Sequence, residues 1–209
     1  MRRLPIYILI DTSGSMRGEP MESVKVGLAD LIATLRKDPY ALETVNISII
    51  TYAHEPKQIL PPTMLEEFEM PEIANPESGP KHLGAALKFF CQRIEAEVKK
   101  DTPKCKGDWK PMLFLFTSGK ISDVMDYNHI VPKVKSLNLQ KVVAILPSLK
   151  AKTEQIQNLT DLVYNIDSID MSAWKHFFLY DWIEAEASDL VPTDSFELPG
   201  PPEEVNILI

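Results

Sequence analysis

Three short stretches of this chain are apolar at almost every position, and they set the fold. Residues 4–10 read Leu-Pro-Ile-Tyr-Ile-Leu-Ile, residues 112–116 read Met-Leu-Phe-Leu-Phe, and residues 141–146 read Lys-Val-Val-Ala-Ile-Leu. A strand with one wet face alternates apolar and polar residues. A strand that is apolar on both faces must be covered on both, as in parallel sheets flanked by helices. The segments between these runs carry helical spacing. Met21, Val24, Leu28, Leu31, Ile32 and Leu35 recur at helical intervals within 19–37, where Pro20 suits a first turn. Leu83, Leu87, Phe90, Cys91, Ile94 and Val98 do the same within 83–100. On that face Cys91 reads as a core residue rather than a nucleophile.

The remaining elements follow the same alternation. Residues 45–52 predict a strand, 58–60 a short partner ended by Pro61-Pro62, and 66–80 a Pro-rich surface loop. A helix is expected around 128–137, with Pro132 in its first turn or kinking it. A short helix over 153–159, a short strand over 162–166 and a last helix over 170–187 complete the pattern. Trp174, Phe177, Phe178 and Trp182 are expected to form the core face of that last helix rather than a binding surface. Residues 188–209 hold four prolines and show no period. The expected fold class is α/β: a doubly wound, mostly parallel sheet flanked by helices over 1–187, then an acidic, Pro-containing tail over 188–209.

Charge divides along the same boundary. The chain has 209 residues, enough for one well-cored domain, with 30 acids against 22 bases. Residues 1–175 carry 22 of each, so the whole excess of −8 sits in the last 34 residues. No basic stripe is present, which argues against nucleic acid as a partner, and an acidic tail argues against an anionic membrane surface. No run approaches the roughly 20 apolar residues of a membrane span. The first apolar run is ended by Asp11, too early for a signal peptide. Cys91 and Cys105 lack metal-type spacing. The expectation is a cytoplasmic protein.

Ligands of such sheets sit beyond the carboxyl ends of the strands, where the strand order reverses. Three glycine-containing loops belong there: residues 11–16 (Asp-Thr-Ser-Gly-Ser-Met), 78–84 (Ser-Gly-Pro-Lys-His-Leu-Gly) and 117–123 (Thr-Ser-Gly-Lys-Ile-Ser-Asp). In the first, Asp11, Ser13 and Ser15 place hard oxygen ligands on one turn of chain, which suits Mg²⁺. A second reading fits the same residues: Ser13 or Ser15 caps the next helix while Asp11 makes a strand-end hydrogen bond.

An apolar strand ending in Asp-x-Ser-x-Ser within this alternation resembles a von Willebrand factor A domain. More narrowly, RRLPIYILIDTSGSMRGEP, KDPYALETV, LGAALKFF and KGDWKPMLFLFTSG are similar to the TerY-type proteins of tellurite-resistance loci. The resemblance is specific from residue 1 to about 123 and looser to about 186. It implies a metal-ion-dependent adhesion site and a non-enzymatic role as an interaction module. It further implies partnership with a protein kinase and a metal-dependent phosphatase in a bacterial stress-response system.

Two positions depart from the family pattern. Where the family has a threonine ligand in the second loop this chain has Lys81, and where it has Thr-Asp-Gly in the third loop this chain has Thr117-Ser118-Gly119. The departures balance: Asp11 against Lys81 is neutral without any metal. A lysine ammonium has three donors on a flexible stem, enough to reach Asp11 and the hydroxyls of Ser13, Ser15 or Ser118. The expectation is a degenerate site plugged by Lys81, with no cofactor, set against Lys81 turned to solvent and Mg²⁺ bound at low affinity to an acidic partner's benefit.

The rim of the site supplies candidate partner contacts in His82, Ser118, Lys120 and Asp123 beside Lys81. His54, His129 and His176 have no partner motif. Phe196, Leu198, Ile207 and Leu208 put apolar residues among the acids and prolines of the tail, a second candidate docking segment. A haloacid-dehalogenase-type phosphatase using Asp11 as nucleophile is the remote alternative. Its chemistry requires a second acid two residues on, where Ser13 stands, and a serine is no general acid near neutral pH. The chain also lacks the Gly-x-Ser-x-Gly elbow of serine hydrolases.

Overall fold

The computed structural model describes residues 2–76, 78–146 and 153–165. Six strands form one sheet in the order β3-β2-β1-β4-β5-β6. They are β1 (Leu4–Asp11), β2 (Val45–Tyr52), β3 (Pro56–Met64), β4 (Met112–Phe116), β5 (Lys141–Leu146) and β6 (Val163–Asn165). All neighbours are parallel except β2 and β3, which form an antiparallel pair at one edge. Helices α1 (Glu19–Leu35), α2 (Pro39–Thr44), α3 (Leu83–Glu97), α4 (Val124–Ser136) and α5 (Glu154–Gln157) fill the connections. No described helix is long and apolar enough to cross a membrane.

The unbroken apolar runs are explained by two cores, one on each face. Alternate side chains of a strand point to opposite faces. Leu4, Ile6, Ile8 and Ile10 of β1 join Met112, Phe114 and Phe116 of β4 beneath the Met21, Val24 and Leu28 face of α1. Tyr7, Leu9, Leu113 and Leu115 face the other way, onto Leu87, Phe90 and Cys91 of α3 and Tyr127 and Val134 of α4. Every residue of β1 and β2 is buried. Each large side chain sequestered in this way stabilises the fold by about 1.5–3 kcal/mol relative to exposure.

Four elements differ from expectation. β3 runs on through Pro61 and Pro62 instead of stopping before them, because an edge strand leaves one row of backbone groups unpaired and tolerates missing donors. Helix α2 was not expected; Asp38 caps it, accepting from the amides of Tyr40 and Ala41 at 2.9 and 3.1 Å, with Pro39 leading the first turn. Helix α4 begins at Val124, so Pro132 lies inside it rather than in its first turn. The carbonyl of Asn128, left without a helical donor by Pro132, belongs to an exposed residue that water can serve. Helix α3 ends at Glu97, just short of the expected boundary. The helix expected over 170–187, with Trp174, His176, Phe177, Phe178 and Trp182, lies outside the described residues, as does the tail over 188–209 with Phe196, Leu198, Ile207 and Leu208.

Candidate functional site

The strand order reverses between β1 and β4: the chain winds outward from β1 through β2 to β3, then returns to β4 on the other side. Their carboxyl ends therefore open a crevice. Asp11 is the last residue of β1, Thr117 and Ser118 follow β4 directly, and Lys81 arrives from the segment leading into α3.

Asp11 is fully buried and both of its oxygens are engaged. Oδ1 accepts from the amide of Ser13 at 2.8 Å. Oδ2 accepts from the amide and the hydroxyl of Ser118, each at 3.4 Å, and lies 3.7 Å from the Lys81 ammonium. That ammonium also donates to the hydroxyls of Ser15 and Ser118. The hydroxyls themselves are in contact, Ser13 with Ser15 at 3.2 Å and Ser15 with Ser118 at 3.0 Å. Neither Ser13 nor Ser15 caps a helix through its side chain. Ser13 precedes a short 3-10 turn (Gly14–Met16) without a capping bond, and α1 starts after Gly18. The Lys81 side chain is 9% exposed. Burial pushes its ammonium below the ordinary lysine value, Asp11 pulls it back up, and nearby Lys120 adds to the lowering.

The second and third loops are clasped together. Lys81 donates its amide to Ser122 Oγ at 3.0 Å and accepts the Ser122 amide at 2.9 Å. Asp123 Oδ2 accepts from the amide of Ala85 at 2.9 Å, tying the start of α4 to the start of α3. Gly84 makes this crossing possible: a Cβ there would stand 2.4 Å from the amide nitrogen of Tyr127. Gly119 turns the third loop with φ +80°, a conformation that side chains disfavour.

Of the expected rim residues, Lys120 is exposed, Ser118 is half-buried within the cluster, and His82 sits just ahead of α3. His82 Nδ1 lies 2.9 Å from the carbonyl of His54, and the two rings are 4.8 Å apart, a pairing that neither residue's sequence context announces. Asp123 is turned inward: Oδ2 is spent on Ala85, and Oδ1 is buried with no partner. Tyr52, at the end of β2, was not singled out by sequence. It is fully buried, its hydroxyl lies near Thr117 without a hydrogen bond of good geometry, and burial, reinforced by Asp11, lifts the phenol well above its ordinary value. Only its place at a strand end, level with Asp11 in the register, signalled it.

The donor set decides what this crevice can hold. A divalent cation wants hard oxygens and carboxylates to offset its charge. Here one carboxylate and three serine hydroxyls converge, and an ammonium already stands among them. Among the described residues no group of three or more His, Cys, Asp or Glu side chains is placed to hold a metal. These residues do not fit a dication.

Comparison with known proteins agrees on the architecture. The family model of the von Willebrand factor type A domain matches residues 6–170. The mouse collagen alpha-6(VI) chain is 22% identical over 178 residues, which span 79% of this chain but 7% of the collagen chain. Among solved structures, proximal thread matrix protein 1 of the mussel byssus superimposes with a TM-score of 0.61 at 16% identity, over 86% of this chain and 47% of that one. The manganese-loaded TRAP protein of Plasmodium vivax gives 0.60 at 14% identity, over 85% and 72%. BatB from Bacteroides thetaiotaomicron gives 0.54 at 14%, over 88% and 98%. At these identities the structural likenesses speak for the fold alone.

Proposed function

The chain belongs to the von Willebrand factor type A domain family, and from that premise we propose that it is a non-enzymatic protein-interaction module whose crevice works without a metal. Domains of this family are commonly interaction modules. The observation that carries the metal-free reading is the Lys81 ammonium, in contact with Ser15 and Ser118 and 3.7 Å from Asp11. It supplies the positive charge that the buried carboxylate needs. Asp11 is then neither a nucleophile nor a ligand; it is the counter-ion that fixes Lys81 and, through the Ser13 and Ser118 amides, the shape of two loops.

Recognition on this reading passes to ordinary surface contacts around the crevice. Exposed Lys120, close enough to act on the Lys81 ammonium, offers such a contact beside half-buried His82 and Ser118. The TerY-like segments named above support a partner in a tellurite-resistance-type stress-response system, namely its protein kinase, its metal-dependent phosphatase or both.

Pull-down of that kinase and phosphatase by the full chain, in excess Mg²⁺ and in EDTA, tests the proposal. Equal capture in both is expected. Capture that EDTA abolishes, together with an octahedral ion about 2.1 Å from Ser13 and Ser15 in crystals grown with Mg²⁺, would replace it with Mg²⁺-dependent binding of an acidic partner. Generic phosphate-ester turnover that Asp11→Asn abolishes would replace it with an enzyme.

A further inference from the structure

The pole of the sheet opposite the three loops handles its charge differently. Residues 99–110 contain five lysines and two aspartates, and both aspartates accept hydrogen bonds within the fold, with Asp108 also paired with a cation. Asp101 Oδ1 accepts from the amide of Gly107 at 2.6 Å. Asp108 receives the Arg3 guanidinium on both oxygens, at 2.9 and 2.6 Å, and the Lys99 amide at 2.8 Å. The loop is closed by paired backbone bonds between Thr102 and Cys105 and by Asp108 N to Lys99 O at 2.9 Å. Lys99, Lys100, Lys104 and Lys110 project from it, exposed. Among the described residues none of these four forms an ion pair.

Beside the loop lies a groove of about 500 Å³, floored by Ile94, Val98, Trp109 and Leu139 and rimmed by Lys99, Lys100 and Lys110. The Arg2 guanidinium stacks 3.9 Å over the Trp109 ring. The indole Nε1 of Trp109 is buried without an acceptor. Glu95, the other acid lining the groove, is already held by Lys133 at 2.9 Å. The groove thus combines an apolar floor with a rim of three exposed lysines, while Asp108 and Glu95 in its lining are already paired with Arg3 and Lys133. Its complement is a segment that mixes apolar side chains with acids and carries no base.

Residues 188–209 have that composition. They contain Asp189, Asp194, Glu197, Glu203 and Glu204, no lysine or arginine, and apolar residues interspersed as Phe196, Leu198 and the final Ile-Leu-Ile. Reach is sufficient: residues 166–187 would span about 33 Å even if wholly helical, against about 26 Å for an eight-residue strand.

We propose that this groove is the docking site of the chain's own acidic tail, with the tail carboxylates on Lys99, Lys100 and Lys110 and its apolar side chains on the floor around Trp109. The proposal concerns a different pole from the metal-free crevice and stands or falls separately from it.

Carbodiimide cross-linking of the full chain, which joins an ammonium to a carboxylate only when they touch, tests it. A one-to-one mixture of isotopically light and heavy protein separates contacts within a molecule from contacts between copies. The expected products join Lys99, Lys100 or Lys110 to Glu197, Glu203 or Glu204 within one molecule. The triple variant Lys99→Glu, Lys100→Glu, Lys110→Glu should lower tail protection from hydrogen exchange about tenfold or more, since each lost pair contributes modestly and the three reverse sign together. Circular dichroism of that variant should stay that of the folded chain, because all three residues are exposed. Light–heavy products would overturn the proposal in favour of a second copy's tail. Tail cross-links directed elsewhere, absent altogether or unchanged in the variant would overturn it outright.

Discussion

Each end of the sheet contains an internal ion pair, and the two are built to opposite specifications. At the amino end of the strands Arg3 grips Asp108 through two parallel hydrogen bonds of 2.9 and 2.6 Å, with the Asp108 side chain 3% exposed. At the carboxyl end Lys81 stands 3.7 Å from Asp11 and spends its donors on serine hydroxyls instead. The planar guanidinium matches a carboxylate fork; the ammonium is a point charge that several oxygens can share. The first pair pins one loop to the first strand. The second gathers three loops around a single cation.

The sharpest way to break this comparison is Lys81→Met. It leaves Asp11 as an uncompensated buried carboxylate, and a loss of about 3–5 kcal/mol in urea unfolding is expected. A loss under about 1 kcal/mol would show that Asp11 does not depend on the ammonium. Next comes the double variant Lys81→Thr, Ser118→Asp, which swaps the ammonium for a hydroxyl and adds a carboxylate. The wild-type melting temperature should not respond to Mg²⁺. That of the double variant should rise, equivalent to about 2.7 kcal/mol when Mg²⁺ exceeds its dissociation constant a hundredfold.

Asp108→Ala should cost about 1.5–3 kcal/mol by removing charge-assisted bonds from Arg3 and the Lys99 amide. Its pH dependence is distinctive. Burial raises the Asp108 carboxyl, but the Arg3 hydrogen bond, the Lys99 amide and their charges outweigh it, and the net position is below the ordinary value. A depressed acid contributes stability that is present above its unfolded pKa and lost as pH falls through its folded one. The gap between wild type and Asp108→Ala should therefore be full near neutrality and close in acid, as read from unfolding curves at a series of pH values. The smallest effect is expected at Lys120, exposed on the crevice rim: Lys120→Ala should change stability by no more than about 0.5 kcal/mol.

What the sequence disclosed and what it hid follow from the range over which each feature is encoded. The strands of the sheet centre were legible because burial on both faces leaves a purely local mark, and α1 and α3 because a full apolar stripe repeats over many turns. Helix α2 is six residues long, too short for a period to show, although Asp38-Pro39 held its cap and first turn in plain view. The proline rule misplaced α4 and shortened β3, since both prolines and helix ends answer to surroundings as well as to neighbours. In the crevice, the gathering of Asp11, Ser13, Ser15, Lys81 and Ser118 was foreseeable from three loops and a family pattern. The inward turn of Asp123, the burial of Tyr52 and the Arg3–Asp108 clamp were not. Arg3 and Asp108 lie 105 residues apart, and nothing adjacent to either announces the other.

The crossing at Gly84 carries a consequence for recognition. With α3 and α4 in backbone contact there, and the second and third loops joined by the Lys81–Ser122 clasp, these two sides of the crevice are held to each other through main-chain contacts. If partners bind there, as proposed above, loops already tied together would lose little freedom on this side of the interface. Complex lifetime would then be set by how well the partner matches a fixed template, and variants that loosen the Gly84 crossing would shorten it without removing a single contacting side chain.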